Sequence, residues 1–130
     1  MPKKILAIDL GLKRIGLAFT PDGSVVTPLP AIERKNRNQA SQAVKDAIAA
    51  WGAEAVVIGI PMGGESEAEM RRRVAHFMNL VGFDGTVSYQ DESGSSLEAE
   101  ELMKGDIRYK RDGRVDSLSA MIILQRYLRA

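Results

Sequence analysis

The sequence lacks cysteine altogether and contains a single histidine, His76. Without cysteine, neither a disulfide framework nor a thiolate metal site can form. A single histidine excludes a histidine-rich metal centre and argues against a Ser-His-Asp triad. We predict that His76 is a surface or packing residue rather than a catalytic one.

Long apolar runs and a strong excess of one charge are absent as well. No segment approaches the roughly 18 apolar residues of a membrane-spanning helix, and the N-terminus lacks the apolar stretch of a signal peptide. The chain carries 18 Lys and Arg against 17 Asp and Glu, a net charge of +1. Nucleic-acid binding would therefore depend on local basic patches, and we expect a cytoplasmic protein without a membrane partner.

The most informative stretch is the first predicted strand with the turn that follows it. Apolar residues occupy positions 5–8 and again Leu10, a pattern typical of a strand buried on both faces. Asp9 lies within this run, and a buried carboxylate needs a partner or a cation. Two interpretations stay open here: Asp9 caps the turn around Gly11, or it belongs to a cation site.

The rest of the chain predicts the order βββαβαβαα. Strands are expected over residues 5–10, 15–19, 25–32, 55–60 and 86–91, and helices over about 38–51, 66–80, from 95, and 115–127. Three strands joined by tight turns form an antiparallel meander, and the helix-separated strands add parallel neighbours. We therefore predict an α/β fold in one domain, residues 1–130, with a mixed five-stranded sheet flanked by helices.

Local signals near three helix starts add detail. The segments Ser66-Glu67-Ala68-Glu69 and Ser95-Ser96-Leu97-Glu98 match the capping box that begins many helices. Residues 34–37, Arg-Lys-Asn-Arg, are predicted to form a basic loop before the first helix.

Acidic residues stand where the fold class predicts a site. Sites in such sheets form at the carboxyl ends of the strands, and Asp9, Asp91 and Glu92 lie at such ends, while Asp116 begins the last helix. The alternatives are a solvated turn at 91–92 and, for Asp116, a first-turn acid favoured by the helix dipole.

Three separated carboxylates without a histidine or cysteine partner fit a hard cation such as Mg²⁺ or Mn²⁺. Two such ions about 4 Å apart can activate water and stabilise the leaving oxygen in phosphodiester cleavage. If Asp116 is a ligand, crowded carboxylates would repel one another. Asp116→Asn should then leave the stability of the metal-free protein unchanged or raise it.

A basic stretch between residues 104 and 114 complements these acids. It loses apolar periodicity and is predicted to be a flexible loop that holds a polyanion. Its tyrosine could stack on a base. The residues in question are Lys104, Arg108, Tyr109, Lys110, Arg111 and Arg114.

Several short motifs occur together in one order along nearly the whole chain, from about Lys4 to Tyr127. They are Asp9-Leu10-Gly11-Leu12-Lys13-Arg14-Ile15-Gly16-Leu17-Ala18, Gly59-Ile60-Pro61-Met62, Asp91-Glu92, Arg114-Val115-Asp116-Ser117 and Ile122-Ile123-Leu124-Gln125-Arg126-Tyr127-Leu128. In these motifs the chain resembles the YqgF/RuvX family of pre-16S rRNA nucleases and Holliday-junction-resolvase-like proteins, which have the RNase H-like fold.

The resemblance implies a two-metal-ion nuclease that uses Mg²⁺ or Mn²⁺ and acts on RNA or DNA. Its catalytic acids and metal ligands would be Asp9, Glu92 and Asp116, with Asp91 as a neighbouring candidate ligand. The nucleic-acid-binding residues would be Lys13, Arg14, Arg108, Tyr109, Lys110, Arg111 and Arg114.

The expected role is 5′-end processing of pre-16S rRNA, on structured or single-stranded RNA. The alternatives are a resolvase-like endonuclease for branched DNA and a catalytically inactive nucleic-acid-binding module. Resolution of a four-way junction would need a homodimer, whereas RNA processing is compatible with a monomer.

One departure from the family pattern and one rival class bear on this expectation. The family usually has an arginine after the Asp-Glu pair, whereas this chain has Ser93-Gly94-Ser95-Ser96, so any phosphate contact would come from another residue such as Lys13 or Arg14. Phosphotransfer ATPases of the actin or sugar-kinase type share the Asp-x-Gly turn. They close two such domains over a nucleotide, however, and this chain has no second strand pair of that kind.

Overall fold

A five-stranded sheet with helices on both faces forms the framework of the protein. The computed structural model describes residues 2–104 and 113–129. Its elements are β1 (Ile5–Leu10), β2 (Arg14–Thr20), β3 (Thr27–Glu33), α1 (Arg37–Trp51), β4 (Ala55–Ile60), α2 (Glu67–Val81), β5 (Thr86–Asp91), α3 (Ser95–Met103) and α4 (Gly113–Arg129).

The strand order is β3-β2-β1-β4-β5. Strands β1, β2 and β3 form an antiparallel meander, whereas β4 runs parallel to β1 and β5 runs parallel to β4. The predicted fold class is confirmed. Within the described ranges, no helix has both the length and the apolar content needed to cross a bilayer.

The helix starts differ from the sequence prediction. Asn36 caps α1: its side chain accepts from the Gln39 N–H at 2.8 Å, and the Gln39 side chain reaches back to the main chain at the cap. Both predicted capping boxes are wrong, because Ser66 already has helical backbone angles and Gly94, rather than a serine, precedes α3. A side-chain cap requires an extended backbone at the capping residue, which Asn36 has.

The two faces of the sheet are built from residues of different size. Large aliphatic side chains of the central strands pack against α1 and α2, among them Leu6, Ile8, Leu17, Ile58 and Ile60. The opposite face carries smaller residues, including Ala7, Ala18 and Ala55, and is covered by α4. Because side chains alternate along a strand, the residues that follow Ile8 and Ile58 face α4.

Two glycines let α4 approach this small-residue face closely. A Cβ placed on Gly16 of β2 would lie 2.0 Å from the carbonyl oxygen of Asp116, and one on Gly59 of β4 would lie 2.4 Å from Cδ1 of Ile123. The Ser117 hydroxyl accepts from the Leu17 N–H at 3.3 Å and fixes the same contact. The first turn of α4 therefore rests on the sheet beside the carboxyl end of β1.

Candidate active site

Asp9 lies at the carboxyl end of β1 on the face covered by α4. It pairs with Gly16 of β2 and, by alternation, faces the same way as Ala7. The following turn is closed by main-chain bonds, since the Gly11 N–H donates to the carbonyls of Asp9 and Arg14 at 3.1 Å each. The Asp9 carboxylate lies within hydrogen-bonding reach of Glu92. The turn cap and the cation site both remain predictions for Asp9.

Glu92 follows β5 immediately and is held by its own main chain. Its N–H donates to the Ile60 carbonyl at 3.0 Å, and its carbonyl accepts from the Ser95 N–H at 2.9 Å. Burial raises the pKa of Glu92 to about 8, with further contributions from the charge of Asp9, the hydrogen bond to Asp9 and the charge of Asp91. Two carboxyl groups thus meet and share a proton at neutral pH.

Asp116 enters the site from the first turn of α4 and is paired with a cation. Arg14 Nε donates to Asp116 Oδ2 at 2.8 Å, and the Asp116 side chain is only 14% exposed. The same guanidinium has Nη1 at 3.9 Å from Glu33 Oε1. Since Asp116 also lies in the first helical turn, the helix dipole favours its negative charge, as the structural alternative proposed.

The three predicted acids line one cleft of about 440 Å³ at the carboxyl end of β1, together with Gly11, Pro61 and Ser95, and we call it the acid cleft. The structure therefore brings Asp9, Glu92 and Asp116 together; their catalytic roles remain predictions. Within residues 2–104 and 113–129, no three acidic or histidine side chains are arranged to hold one metal ion together. In this arrangement Asp9 and Glu92 meet directly, whereas Asp116 is bound by Arg14.

Asp91 lies on the face of the sheet opposite to Glu92, where its carboxylate connects two loops. Its Oδ1 accepts from the Ser93 hydroxyl at 2.8 Å, the Ser93 N–H at 3.1 Å and the Met62 N–H at 3.2 Å. These hydrogen bonds, those from Ser93 first, lower the pKa of Asp91 below its usual value. Its carboxylate thus connects the ends of β4 and β5, and a ligand role for Asp91 remains a prediction.

Arg126 was missed as a site residue by the sequence reasoning. Its Nη1 donates to the carbonyls of Asp91 at 3.1 Å and Ser93 at 3.0 Å, and its Nη2 donates to Glu98 Oε1 at 2.7 Å. A guanidinium from α4 thus reaches the segment in which the usual family arginine is absent. The sequence did contain a signal for Arg126, because the residue lies within one of the family motifs, but the resemblance assigned it no role.

The predicted nucleic-acid-binding residues divide into three groups. Lys13 is exposed in the turn between β1 and β2, and Arg114 is exposed at the start of α4. Arg14 lies next to the acid cleft, where it is paired with Asp116. The other four residues lie outside the described ranges, namely Arg108, Tyr109, Lys110 and Arg111.

The chain is similar to curated proteins over nearly its whole length. It is 67% identical over 126 residues to "Putative pre-16S rRNA nuclease" of Sulfurimonas denitrificans, a match that covers 97% of each chain. It is 52% identical over 125 residues to the protein of the same name from Sulfurovum sp., with 96% of this chain and 98% of the other covered.

Solved structures share the fold at low sequence identity. Thermus thermophilus RuvC in complex with a Holliday junction substrate has a TM-score of 0.55 at 13% identity, covering 97% of this chain and 94% of that one. The fowlpox virus Holliday junction resolvase has a TM-score of 0.58 at 12% identity, with coverage of 97% and 98%. The family model RuvX, described as Holliday junction resolvase, matches residues 3–130. The chain therefore belongs to the RuvX family of nucleases and has their RNase H-like fold.

Proposed function

We propose that this protein is a divalent-metal-dependent nuclease of one domain, residues 1–130, that hydrolyses phosphodiester bonds in the 5′-end processing of pre-16S rRNA in the cytoplasm. The observation that carries the proposal is the meeting of Asp9 and Glu92 in a cleft that Asp116 also lines. The preference for an RNA substrate rests on the relatives with 67% and 52% identity, whose names specify pre-16S rRNA.

Two of the three proposed donors, Asp9 and Glu92, meet in a way that suits a hard cation. Asp9 and Glu92 face each other with like charge, and burial leaves Glu92 with a pKa of about 8. A divalent ion such as Mg²⁺ or Mn²⁺ prefers carboxylate oxygens and would replace the shared proton between them. Asp116 would join as a ligand when its carboxylate turns from Arg14, whose guanidinium lies 2.8 Å away in this structure.

The residues around the site would then have separate roles. When bound, one or two such ions would activate water and stabilise the charge that develops on the phosphate oxygens. Arg14, released from Asp116, would lie beside the cleft as a donor to a phosphate oxygen. Arg126 holds the Asp91–Ser93 main chain, and with it the position of Glu92.

The activity test uses the purified protein on a 5′-extended pre-16S RNA, a single-stranded RNA of the same length and a four-way DNA junction. We expect cleavage of the RNA with Mg²⁺ or Mn²⁺ and none in EDTA. Asp9→Asn should remove cleavage while the melting curve shows a folded protein, because the substitution preserves size and removes the charge. Full activity in EDTA, or in Asp9→Asn, would contradict the metal mechanism.

Junction resolution is the second candidate function. The family description and the junction-bound structural neighbours favour it. A resolvase must make two symmetric cuts and therefore acts as a dimer. Paired cleavage of the four-way junction by a dimer, without processing of the RNA, would replace the RNA proposal by this one. Binding of either substrate without cleavage under all metal conditions would instead identify an inactive binding module.

A further inference from the structure

A second cleft lies on the other side of the turn between β1 and β2. It has a volume of about 480 Å³, and its basic lining residues are Arg34, Arg37, Arg73 and His76. We call it the arginine cleft. Arg34 follows β3, Arg37 begins α1, and the other two lie on α2, so the cleft is formed where α1 and α2 meet the end of the sheet.

The arginines of this cleft are oriented by neighbouring groups. Arg34 Nη1 donates to the Gly11 carbonyl at 2.7 Å, and its guanidinium lies 5.7 Å from the Phe77 ring centroid. Arg37 Nη1 lies 3.1 Å from His76 Nε2; arginine only donates, so the imidazole nitrogen accepts. Each guanidinium has five N–H donors, so these contacts fix the groups and leave donors for a ligand.

The charge of the cleft points to an anion of high charge density. Among the described residues, its lining includes three arginines and no aspartate or glutamate. Glu69 pairs with Arg73 from outside that lining, with Oε1 at 3.2 Å from Nη2. Gathered guanidinium groups repel one another, and the planar fork of arginine matches the oxygens of a phosphate. A phosphate therefore both relieves the repulsion and satisfies the remaining donors.

The position of the cleft identifies which phosphate that would be. Leu10 and Gly11 line both the arginine cleft and the acid cleft, so one turn of the chain separates the two. Leu12, which is 87% exposed, lines the arginine cleft at the tip of that turn, where a base or sugar could pack.

We propose that the arginine cleft binds the sugar-phosphate backbone of the substrate strand beside the scissile phosphate. A strand with its reactive phosphate at Asp9 and Glu92 crosses Gly11 to reach it. This proposal rests on the proposed nuclease function.

The test measures binding separately from cleavage. The probe is a short fluorescein-labelled single-stranded RNA, titrated in EDTA by anisotropy at several salt concentrations, with wild type and the double variant Arg37→Gln/Arg73→Gln. For single strands, each lost phosphate contact makes the negative slope of log K against log salt shallower by about 0.7, so the loss of two contacts makes it shallower by about 1.4. Near 0.1 M salt this corresponds to binding that is weaker by about 25-fold. The single variants should each give about half of the slope change.

A matched control removes the same charge from the same two helices. Lys45 of α1 and Arg72 of α2 are exposed and lie outside the lining of the cleft. Lys45→Gln/Arg72→Gln should change the slope by much less than the cleft variant. Circular dichroism confirms folding, and the single variants retain the test if the double variant does not fold.

The possible results separate the two proposals. An unchanged slope in Arg37→Gln/Arg73→Gln, or an equal loss in the control, would overturn the arginine cleft as a backbone site. If wild type cleaves no RNA but the cleft variant selectively loses RNA binding, the arginine cleft is supported and only the nuclease proposal is contradicted. Cleavage by wild type with no selective loss of binding would do the reverse.

Discussion

The two faces of the sheet carry out different tasks with different residues. The face towards α1 and α2 is filled with large aliphatic side chains such as Ile8 and Ile58, both 1% exposed. The face towards α4 also has Ile5 and Val57 but carries alanine or glycine at most of the corresponding positions, and it ends in carboxylates. Large residues bury more apolar surface and so supply more of the stability, whereas small residues allow a helix and its acid to approach the strand ends.

The difference between the two faces shows that the candidate site lowers the stability of the protein. On the α4 face, Glu92 is half-buried beside another carboxylate, and its pKa is raised to about 8 as a result. On the α1 and α2 face, basic residues stand at the rim, in the arginine cleft. Substitutions on the α4 face should therefore change activity and stability together, and substitutions in the opposite core should change stability alone.

Asp116→Asn gives the largest expected effect on the α4 face. Loss of one proposed ligand should lower cleavage by more than about 100-fold, since even the partners of metal ligands are worth about 10–100-fold. From the sequence, the metal-free variant was expected to be as stable as wild type or more stable. The ion pair with Arg14 reverses this expectation: the metal-free variant should be less stable by about 1–3 kcal/mol, because Arg14 loses its charged partner.

Urea unfolding and cleavage rates of this variant give the two quantities, with Asp46→Asn of α1 as the control on the other face. Wild-type cleavage by Asp116→Asn would show that Asp116 only stabilises the helix start and its pair with Arg14.

Gly16→Ala and Ile58→Val form a pair that tests the two faces directly. The added methyl group at position 16 meets the Asp116 carbonyl, at 2.0 Å before any shift, and should cost about 1–3 kcal/mol. It should also lower cleavage per folded molecule, because α4 must move with Asp116. Ile58→Val should cost about 0.5–1.5 kcal/mol and leave that cleavage rate unchanged. Equal effects on activity in the two variants would contradict the division between the faces.

Arg126→Gln tests how the α4 face positions Glu92. The variant loses charged hydrogen bonds to the carbonyls of Asp91 and Ser93, so the loop that carries Glu92 should loosen. We expect about a tenfold loss of cleavage, in the range measured for groups that orient metal ligands. Arg129→Gln, an exposed neighbour on the same helix, is the control. Identical rates for the two variants would remove Arg126 from the site.

The remaining expected effect is a pH dependence of stability that arises from Glu92. Its pKa rises from 4.5 to about 8 on folding, so between these values the folded protein retains a proton that the unfolded chain releases. The free energy of unfolding of the metal-free protein should therefore fall as pH rises from about 5 to 8, and its Glu92 contribution should level off above. Glu92→Gln should lack this component in urea melts with EDTA. Parallel pH curves for the two proteins would show that Glu92 is not perturbed by burial and Asp9.

Local patterns in the sequence determined most of the framework. Continuous apolar runs at residues 5–8 and 55–60, separated by turn residues and periodic segments, predicted the element order and the mixed sheet. The rule that sites form at carboxyl ends of strands then selected Asp9 and Glu92 as neighbours. The capping boxes at Ser66 and Ser95 were wrong, because a cap depends on the backbone angles of the serine as well as on its identity.

Only the tertiary structure decided which side chains meet. Asp91 and Glu92 are adjacent in sequence, yet the pleat sends them to opposite faces, and a shift of one residue at the end of β5 would exchange them. Arg14 and Asp116 are 102 positions apart, and Arg126 lies 35 positions from the Asp91 carbonyl that it holds. Such contacts depend on how closely α4 packs on Gly16 and Gly59, and that distance follows from the whole face of the sheet rather than from any local pattern.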